Sequence, residues 1–308
     1  MHSLIHPDAR VLAEDHILHA PHPVNEGSGA GFYSEALSEP LRTAFVGAEQ
    51  RSDIRIEGYF REAKWRASSG HIAGRFVEPL FGIPADGRIH FLRFGCFERL
   101  DGHRIAETIL LLDLPSLMIE TGCWPLSRPL GPTIVAPSPA VLDDAAAESD
   151  PALADASLKQ VEAMIAGLMR YDGQSLASMR MRDFWTPHFQ WYGPAPIGSF
   201  QGHEDYERGH QGPFLAAFPD RVGGNHRSRI GQGSFVASTG WPSIHATHSG
   251  GDWLGLAPTG KRISMRVMDF WRCEGGLLAE NWVMIDIPNL LEQFGIDVFA
   301  RMNALRRA

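Results

Sequence analysis

The feature that most constrains the fold of this chain is an internal repeat with an offset of 173 residues. Residues 99–122 align without gaps with residues 272–295, and 8 of the 24 positions are identical. Half of the other 16 positions exchange one apolar residue for another. Solenoid repeats have periods of about 20–50 residues, so this longer period indicates two copies of one domain.

The repeat contains a predicted β-hairpin followed by a short helix. In the second copy the strands are predicted at 262–272 and 277–285, and Gly275 and Gly276 supply the positive φ angles of a tight turn. Polar and aromatic residues interrupt one side of the second strand, which indicates a pocket wall. Because alternate strand residues share a face, that predicted wall carries Glu280, Trp282, Met284 and Asp286.

Composition and charge argue against several classes of function. A chain of 308 residues is long enough for two domains, and its net charge of −8 with a pI near 5.9 argues against nucleic acid or an anionic membrane as a partner. No apolar run is long enough for a spanning helix. The three cysteines have no paired spacing, so we predict reduced thiols in a cytoplasmic protein. They are Cys96, Cys123 and Cys273.

Each copy is predicted to place helices before a run of strands, which is an α+β arrangement. We predict a first domain at 1–135 and a second at 157–308. Residues 136–156 are rich in Pro, Ala and Asp, a composition typical of a linker. The predicted helices include 33–45, 157–171 and 206–218, and the aromatic segment 184–194 is predicted to be a loop.

Histidines are concentrated in the N-terminal arm, and two interpretations are open. His16 and His19 lie three apart in a predicted helix at 7–18, which is compatible with a metal site. A solvated arm is favoured, because no cysteine or carboxylate completes a ligand set. A solvated helix face is also favoured for His203 and His210, whose spacing does not match a zinc helix. The arm carries His2, His6, His16, His19 and His22.

Four segments of the second copy resemble the SnoaL-like polyketide cyclase family of the nuclear-transport-factor-2-like superfamily. They are residues 247–262, 268–272, 280–286 and 290–295, and the first copy resembles the family more loosely at about 60–122. The resemblance implies a cystatin-like α+β cone, in which helices wrap a curved antiparallel sheet around a pocket. Because such folds carry several reactions and also non-enzymatic subunits, the fold alone does not name the reaction.

The resemblance implies cofactor-free acid/base chemistry on a small hydrophobic carbonyl compound, as cyclase, isomerase or dehydratase, with no metal. By motif position the catalytic carboxylate maps to Asp286, with His248 as a hydrogen-bond donor. Asp286 has a second interpretation as the N-cap of the next helix, and His248 as a hydrogen-bonding group of the sheet. The other predicted substrate-binding residues are His245, Trp241, Asp269, Trp271, Trp282 and Arg266.

The resemblance also implies assembly, since single-copy relatives commonly pair through their sheets. We therefore predict an intrachain pseudo-dimer of the two copies, with further homo-oligomerisation as an open possibility. We predict that a small-molecule substrate binds the second copy, and that the first is mainly a scaffold. The alternative is a non-catalytic ligand-binding or assembly module. The predicted packed face carries Val283 and Ile285, with Leu110 and Leu112 as counterparts.

Overall fold

The structure is a computed structural model that describes residues 3–5, 8–140 and 150–305. His2 and His6 of the predicted arm lie outside these residues, as does much of the predicted linker. The chain forms two compact units. The first consists of Met1–Pro125 with Asp286–Ala308, and the second is Leu126–Ile285. None of the described helices is long and apolar enough to cross a membrane.

The first unit is built on a six-stranded sheet with the order β2-β1-β6-β5-β4-β3. β1 runs parallel to β6, and the other neighbours are antiparallel. The sheet is therefore mixed, whereas the sequence predicted an antiparallel one. The strands are β1 (Leu12–His19), β2 (Glu26–Ser28), β3 (Phe45–Phe60), β4 (Ala63–Phe76), β5 (Ile89–Asp101) and β6 (Arg104–Leu112).

The helix predicted at 7–18 is wrong, because only Ala9–Val11 forms a short 3-10 turn before β1 begins. The pairing of β1 with β6 places two of the arm histidines, His16 and His19, against β6. The His16 ring lies 2.9 Å from Thr108 Oγ1, and His19 Nε2 lies 3.3 Å from Glu107. Neither histidine therefore lies in a solvated arm, and the described residues form no group of three potential metal ligands around them. The helices of the first unit's N-terminal part are α1 (Ala30–Tyr33), α2 (Glu39–Ala44) and α3 (Leu114–Glu120).

The second unit repeats the same topology. Its sheet has the order β10-β11-β12-β13-β7-β8, with a short β9 beside β11 and a parallel pair between β13 and β7. The predicted aromatic loop at 184–194 is mostly strand β7, because its backbone pairs with β13. The strands are β7 (Trp185–Tyr192), β8 (Ser199–Gln201), β9 (Val222–Gly223), β10 (His226–Gln232), β11 (Phe235–Thr247), β12 (Arg262–Glu274) and β13 (Leu277–Ile285).

Three helices of the second copy, α5, α6 and α7, match α1, α2 and α3 of the first in position, whereas α4 and α8 have no counterpart among the described residues. A π-helical turn at Glu207–Gln211 follows α5, and its counterpart Ser34–Ser38 follows α1 at the same 173-residue offset as the sequence repeat. The first long helix begins at Pro151, earlier than predicted and inside the expected linker. The helices are α4 (Pro151–Leu168), α5 (Gly202–Tyr206) and α6 (Gly212–Ala217), followed by α7 (Ile287–Phe294) and α8 (Val298–Leu305), which group with the first unit.

The central hairpin forms as predicted. β12 and β13 are joined through Gly275 and Gly276, whose φ angles are +58° and +80°. Asp286 caps α7 by accepting a hydrogen bond from the Asn289 amide at 3.2 Å, and Asp113 caps α3 in the same way. The α+β class and the two tandem copies of a sheet wrapped by helices are confirmed.

Candidate active site

The second unit contains a cavity of about 210 Å³ between its sheet and its helices. The walls are mostly apolar and unusually rich in methionine and tryptophan. Methionine side chains are flexible and polarisable, so such a wall adapts to the outline of a hydrophobic ligand. Tryptophan adds flat surfaces for stacking. The methionines are Met164, Met169, Met179, Met181 and Met265, and the tryptophans are Trp185, Trp191 and Trp271.

The sheet contributes a polar group of side chains to this cavity. Asp269 and Trp271 are two residues apart on β12, so they share a face about 7 Å apart along the strand. Asn281 lies opposite Trp271 on β13, and Ser238 lies opposite Asp269 on β11. The Asn281 amide donates to Asp269 Oδ1 at 3.3 Å and to the Phe270 carbonyl at 3.1 Å. Asn281 therefore orients the carboxylate.

The helical wall is formed around the π-helical turn. Tyr206, His210 and Phe214 recur every four residues and all line the cavity, as does Gln211. The His210 ring stacks on Trp191 with a centroid distance of 4.2 Å and an interplanar angle of 20°. An extra residue in a helical turn shifts the side chains that follow it, and such turns occur often at functional sites. The predicted solvated face around His210 is therefore wrong, since this ring belongs to the cavity wall.

Burial determines the charge states of the helical wall. It raises the pKa of the Tyr206 phenol well above its usual range, and the negative charge of Asp269 raises it further. Burial also lowers the pKa of His210 to about 3. At neutral pH the phenol therefore keeps its proton and the imidazole is uncharged. The wall offers neutral hydrogen-bonding groups next to a carboxylate.

Three buried side-chain nitrogens of the cavity lining have no hydrogen-bond partner among the described residues. They are Nε1 of Trp271, which is 3% exposed, Nε2 of Gln211, which is 4% exposed, and Nδ1 of His226. A buried polar group without a partner is unfavourable by about 1–3 kcal/mol, and most such groups in proteins are satisfied. These donors therefore point to a ligand with acceptor oxygens.

Asp286 lies elsewhere, as a buried helix cap. Besides the Asn289 amide, its carboxylate accepts from the His22 amide at 3.1 Å, and it is not among the described residues that line the cavity. The predicted face of β13 was inverted: Val283 and Ile285 line the cavity, and they do not form the face opposite the pocket. All but the first residue of β13 are buried, so hydrophobicity could not distinguish its two faces.

Several other predicted residues also lie outside the cavity lining. Trp282 Nε1 donates to the Pro137 carbonyl at 3.0 Å on the other face of β13. The Arg266 guanidinium lies 4.3 Å from the centroid of the Trp241 ring, in a cation–π contact. His248 is buried with its ring 5.4 Å from Phe218. Of the predicted site residues, the cavity brings together Asp269 and Trp271, whereas Asp286, His248, His245, Trp241, Trp282 and Arg266 lie outside its lining.

The corresponding positions of the first copy carry different chemistry. Cys96 and Glu98 stand where the second copy has Asp269 and Trp271, at the 173-residue offset. Glu98 is buried and pairs with Arg66 at 3.1 Å, and burial raises the pKa of its carboxyl group. The carboxylate and indole of the cavity are therefore specific to the second copy.

Sequence reasoning missed the helical wall and part of the sheet wall. One signal was available, because Tyr206 has a counterpart in Tyr33 at the repeat offset. Nothing in the local pattern marked the others. The missed residues that line the cavity include Tyr206, His210, Gln211, Arg221, His226 and Asn281. Among the described residues, no group of three or more His, Cys, Asp or Glu side chains is arranged to hold a metal ion.

Comparison with known proteins gives one family match and several structural neighbours. Residues 171–294 match the family described as SnoaL-like polyketide cyclase. No curated protein matches the chain. AclR, a candidate hydroxylase from Streptomyces galilaeus, is 24% identical, with 44% of this chain and 96% of that protein covered and a TM-score of 0.35. IdmH, a candidate polyketide cyclase from Streptomyces antibioticus, is 24% identical, with coverages of 45% and 99% and a TM-score of 0.34.

A third neighbour, a candidate SnoaL-like polyketide cyclase from Jannaschia sp. CCS1, is 15% identical. The alignment covers 47% of this chain and 96% of that protein, with a TM-score of 0.38. Each of the three thus spans about the length of one copy. The family match covers β7 to α7, which includes the sheet wall and most of the helical wall. Residues 171–294, which make up most of the second copy, are therefore similar to the SnoaL-like polyketide cyclase family.

Proposed function

We propose that the second copy is an enzyme that performs acid/base chemistry on a small hydrophobic carbonyl compound. The observation that carries this proposal is the combination, in one apolar cavity, of a carboxylate and buried donors without partners among the described residues. Asp269 is the proposed base and acid, in place of Asp286. Trp271 and Gln211 are the proposed donors to the substrate oxygen.

The proposed reaction begins when the Asp269 carboxylate removes a proton from a carbon next to a carbonyl group. The electron pair of that C–H bond moves toward the carbonyl, and an enolate forms. Its oxygen accepts hydrogen bonds from Trp271 Nε1 and Gln211 Nε2, which would stabilise the developing charge. The Asn281 amide holds the carboxylate in place, at 3.3 Å.

The fate of the proton distinguishes the reaction classes. If protonated Asp269 returns its proton to a different carbon, the result is an isomerisation. If the enolate carbon attacks a second carbonyl of the same molecule, the new alkoxide takes the proton and a ring closes. The family match of residues 171–294 supports the cyclisation, and the stacked Trp191 and His210 rings favour a flat substrate.

The first test uses a probe ketone, 2-tetralone, in D₂O. Exchange of its α-hydrogens is followed by proton NMR with the full chain. We expect faster exchange with the native protein and a loss of about 100-fold or more in the protein-dependent rate with Asp269→Asn. The matched control is Asp155→Asn, because Asp155 lies on the exposed surface of α4, where it pairs with Lys159.

Asp286→Asn in the same assay distinguishes the two carboxylates. Exchange that is lost in the Asp269 variant and retained in the Asp286 variant supports the proposal. The reverse result would return the role to Asp286. Binding of the probe without any protein-dependent exchange would instead support a ligand-binding module.

A further inference from the structure

We infer that the substrate of this cavity carries a carboxylate, and that Arg221 binds it. The inference deepens the proposed function and rests on it for the identity of the site. Arg221 follows α6 and lines the cavity together with the helical wall. It would act as a specificity-determining residue, separate from the groups that move the proton.

The guanidinium of Arg221 is held in position by neutral partners. It donates through Nη2 to the Leu168 carbonyl at the end of α4, at 2.7 Å. Its central carbon lies 5.6 Å from the centroid of the Tyr171 ring. A guanidinium has five N–H donors, and this hydrogen bond uses one of them. Its position is therefore fixed, while most of its donors have no partner among the residues that the structure describes.

No carboxylate of the described residues is a partner of Arg221, although the chain as a whole is acidic. Burial lowers the pKa of the guanidinium, which means that the site removes part of its hydration. A desolvated cation is stabilised most by an anion that neutralises its charge and accepts its remaining hydrogen bonds. Since the described residues supply none here, we assign the source of that anion to the ligand.

The charges around Tyr206 indicate how such a ligand would be oriented. Asp269 and Arg221 act on the pKa of this phenol in opposite directions, so both lie within electrostatic range of it. A ligand whose carboxylate contacts Arg221 would therefore keep its anionic end apart from the Asp269 carboxylate. Its hydrophobic body would lie against the methionine and tryptophan side chains, with the reacting carbon toward Asp269.

A purely structural role is the competing explanation for Arg221. Its hydrogen bond to Leu168 ties the segment after α6 to the end of α4, where a cation also interacts favourably with the helix dipole. That role predicts a loss of stability when Arg221 is replaced. It does not predict any preference between a charged ligand and its neutral ester.

The experiment compares 2-naphthoate with methyl 2-naphthoate, by isothermal titration calorimetry on the full chain above pH 6, where the acid is ionised. For the native protein we expect at least tenfold tighter binding of the acid. Arg221→Gln should reduce this preference to within about twofold while leaving the affinity for the ester within threefold. An unchanged ester affinity shows that the cavity is intact. Arg221→Lys keeps the charge and should keep a preference of at least threefold.

The matched control is Arg208→Gln, because Arg208 pairs with Asp205 on the exposed side of the same helical segment. This variant should retain the native preference for the acid. Equal binding of acid and ester by the native protein, or an acid preference that survives Arg221→Gln, would overturn the inference. The result is independent of turnover. If Asp269→Asn loses ketone exchange but the native protein shows no acid preference, the proposed function stands and the inference about Arg221 fails. If the native protein prefers the acid but Asp269→Asn retains exchange, only the proposed function fails.

Discussion

A buried ion pair across the central hairpin gives the sharpest prediction about stability. Arg272 and Glu280 face each other on β12 and β13 and are only 6% and 5% exposed. The Arg272 guanidinium donates to Glu280, and the same carboxylate accepts from the Ala140 amide at 3.2 Å. Glu280→Gln would leave the arginine buried with one remaining carboxylate partner, the exposed Glu274 at 2.9 Å.

Removing one partner of a buried pair destabilises a protein by about 3–5 kcal/mol, since the other charge stays desolvated. Glu274 compensates in part, so we expect the lower end, about 3 kcal/mol. For a cooperative unit of about 150–250 residues, each kcal/mol lowers Tm by roughly 2–4 °C. Glu280→Gln should therefore lower the transition of the second unit by roughly 6–12 °C, as measured by differential scanning calorimetry.

The repeat supplies a matched control in Glu107→Gln. Glu107 pairs with Arg99 at 3.0 Å in the first copy, but the Arg99 side chain is 33% exposed and can regain water. We expect a smaller loss there, about 1 kcal/mol. The double variant Arg272→Met, Glu280→Leu should recover most of the lost stability, because neither charge then remains buried. A Tm shift below 2 °C for Glu280→Gln, or a larger one for Glu107→Gln, would refute the reasoning.

Three further predictions follow from the same structure. Because burial lowers the pKa of His210 to about 3, the unfolded chain binds this proton at a higher pH than the folded chain does. The free energy of unfolding should therefore fall by up to about 1.4 kcal/mol per pH unit from pH 6.5 toward 4. His210→Phe should flatten that slope in urea titrations at several pH values, and an unchanged slope would contradict the prediction. Asp286→Ala should destabilise the chain by about 0.5–2 kcal/mol in urea unfolding, because the α7 cap is lost. Asp286→Asn should be closer in stability to the native protein, and equal losses in the two variants would argue against a capping role. Trp271→Phe keeps the ring but removes the Nε1 donor, so 2-tetralone exchange should slow by about 10- to 100-fold while binding changes little; an unchanged rate would exclude that donor.

Much of the local structure was predictable because it depends on neighbours in the chain. The Gly275-Gly276 turn needs positive φ angles at both residues, and the Asp286 cap needs only an acceptor before a helix. The failures occurred where pairing partners are distant in sequence. The segment 7–18 and the aromatic segment 184–194 became strands because β6 and β13 pair with them in parallel.

The site was harder to predict than the fold. Asp269 and Trp271 were singled out because the first copy has Cys96 and Glu98 at those positions, and both line the cavity. Apart from the repeat counterpart of Tyr206, the residues of the helical wall gave no comparable signal. Their contribution depends on the helical segment that covers the sheet, which no local pattern specifies.

The sequence by itself determined that the chain is a repeat of one α+β domain, because hairpin, cap and helix recur at a constant offset of 173 residues. It also determined the turns and caps. Only the tertiary structure decided which face of β13 meets the cavity. Both faces of β13 are buried, so the alternation of side chains is equally compatible with either face lining the cavity. The position of the covering helices decides between them. The cavity is lined by Asn281, Val283 and Ile285, and not by Glu280, Trp282 and Met284.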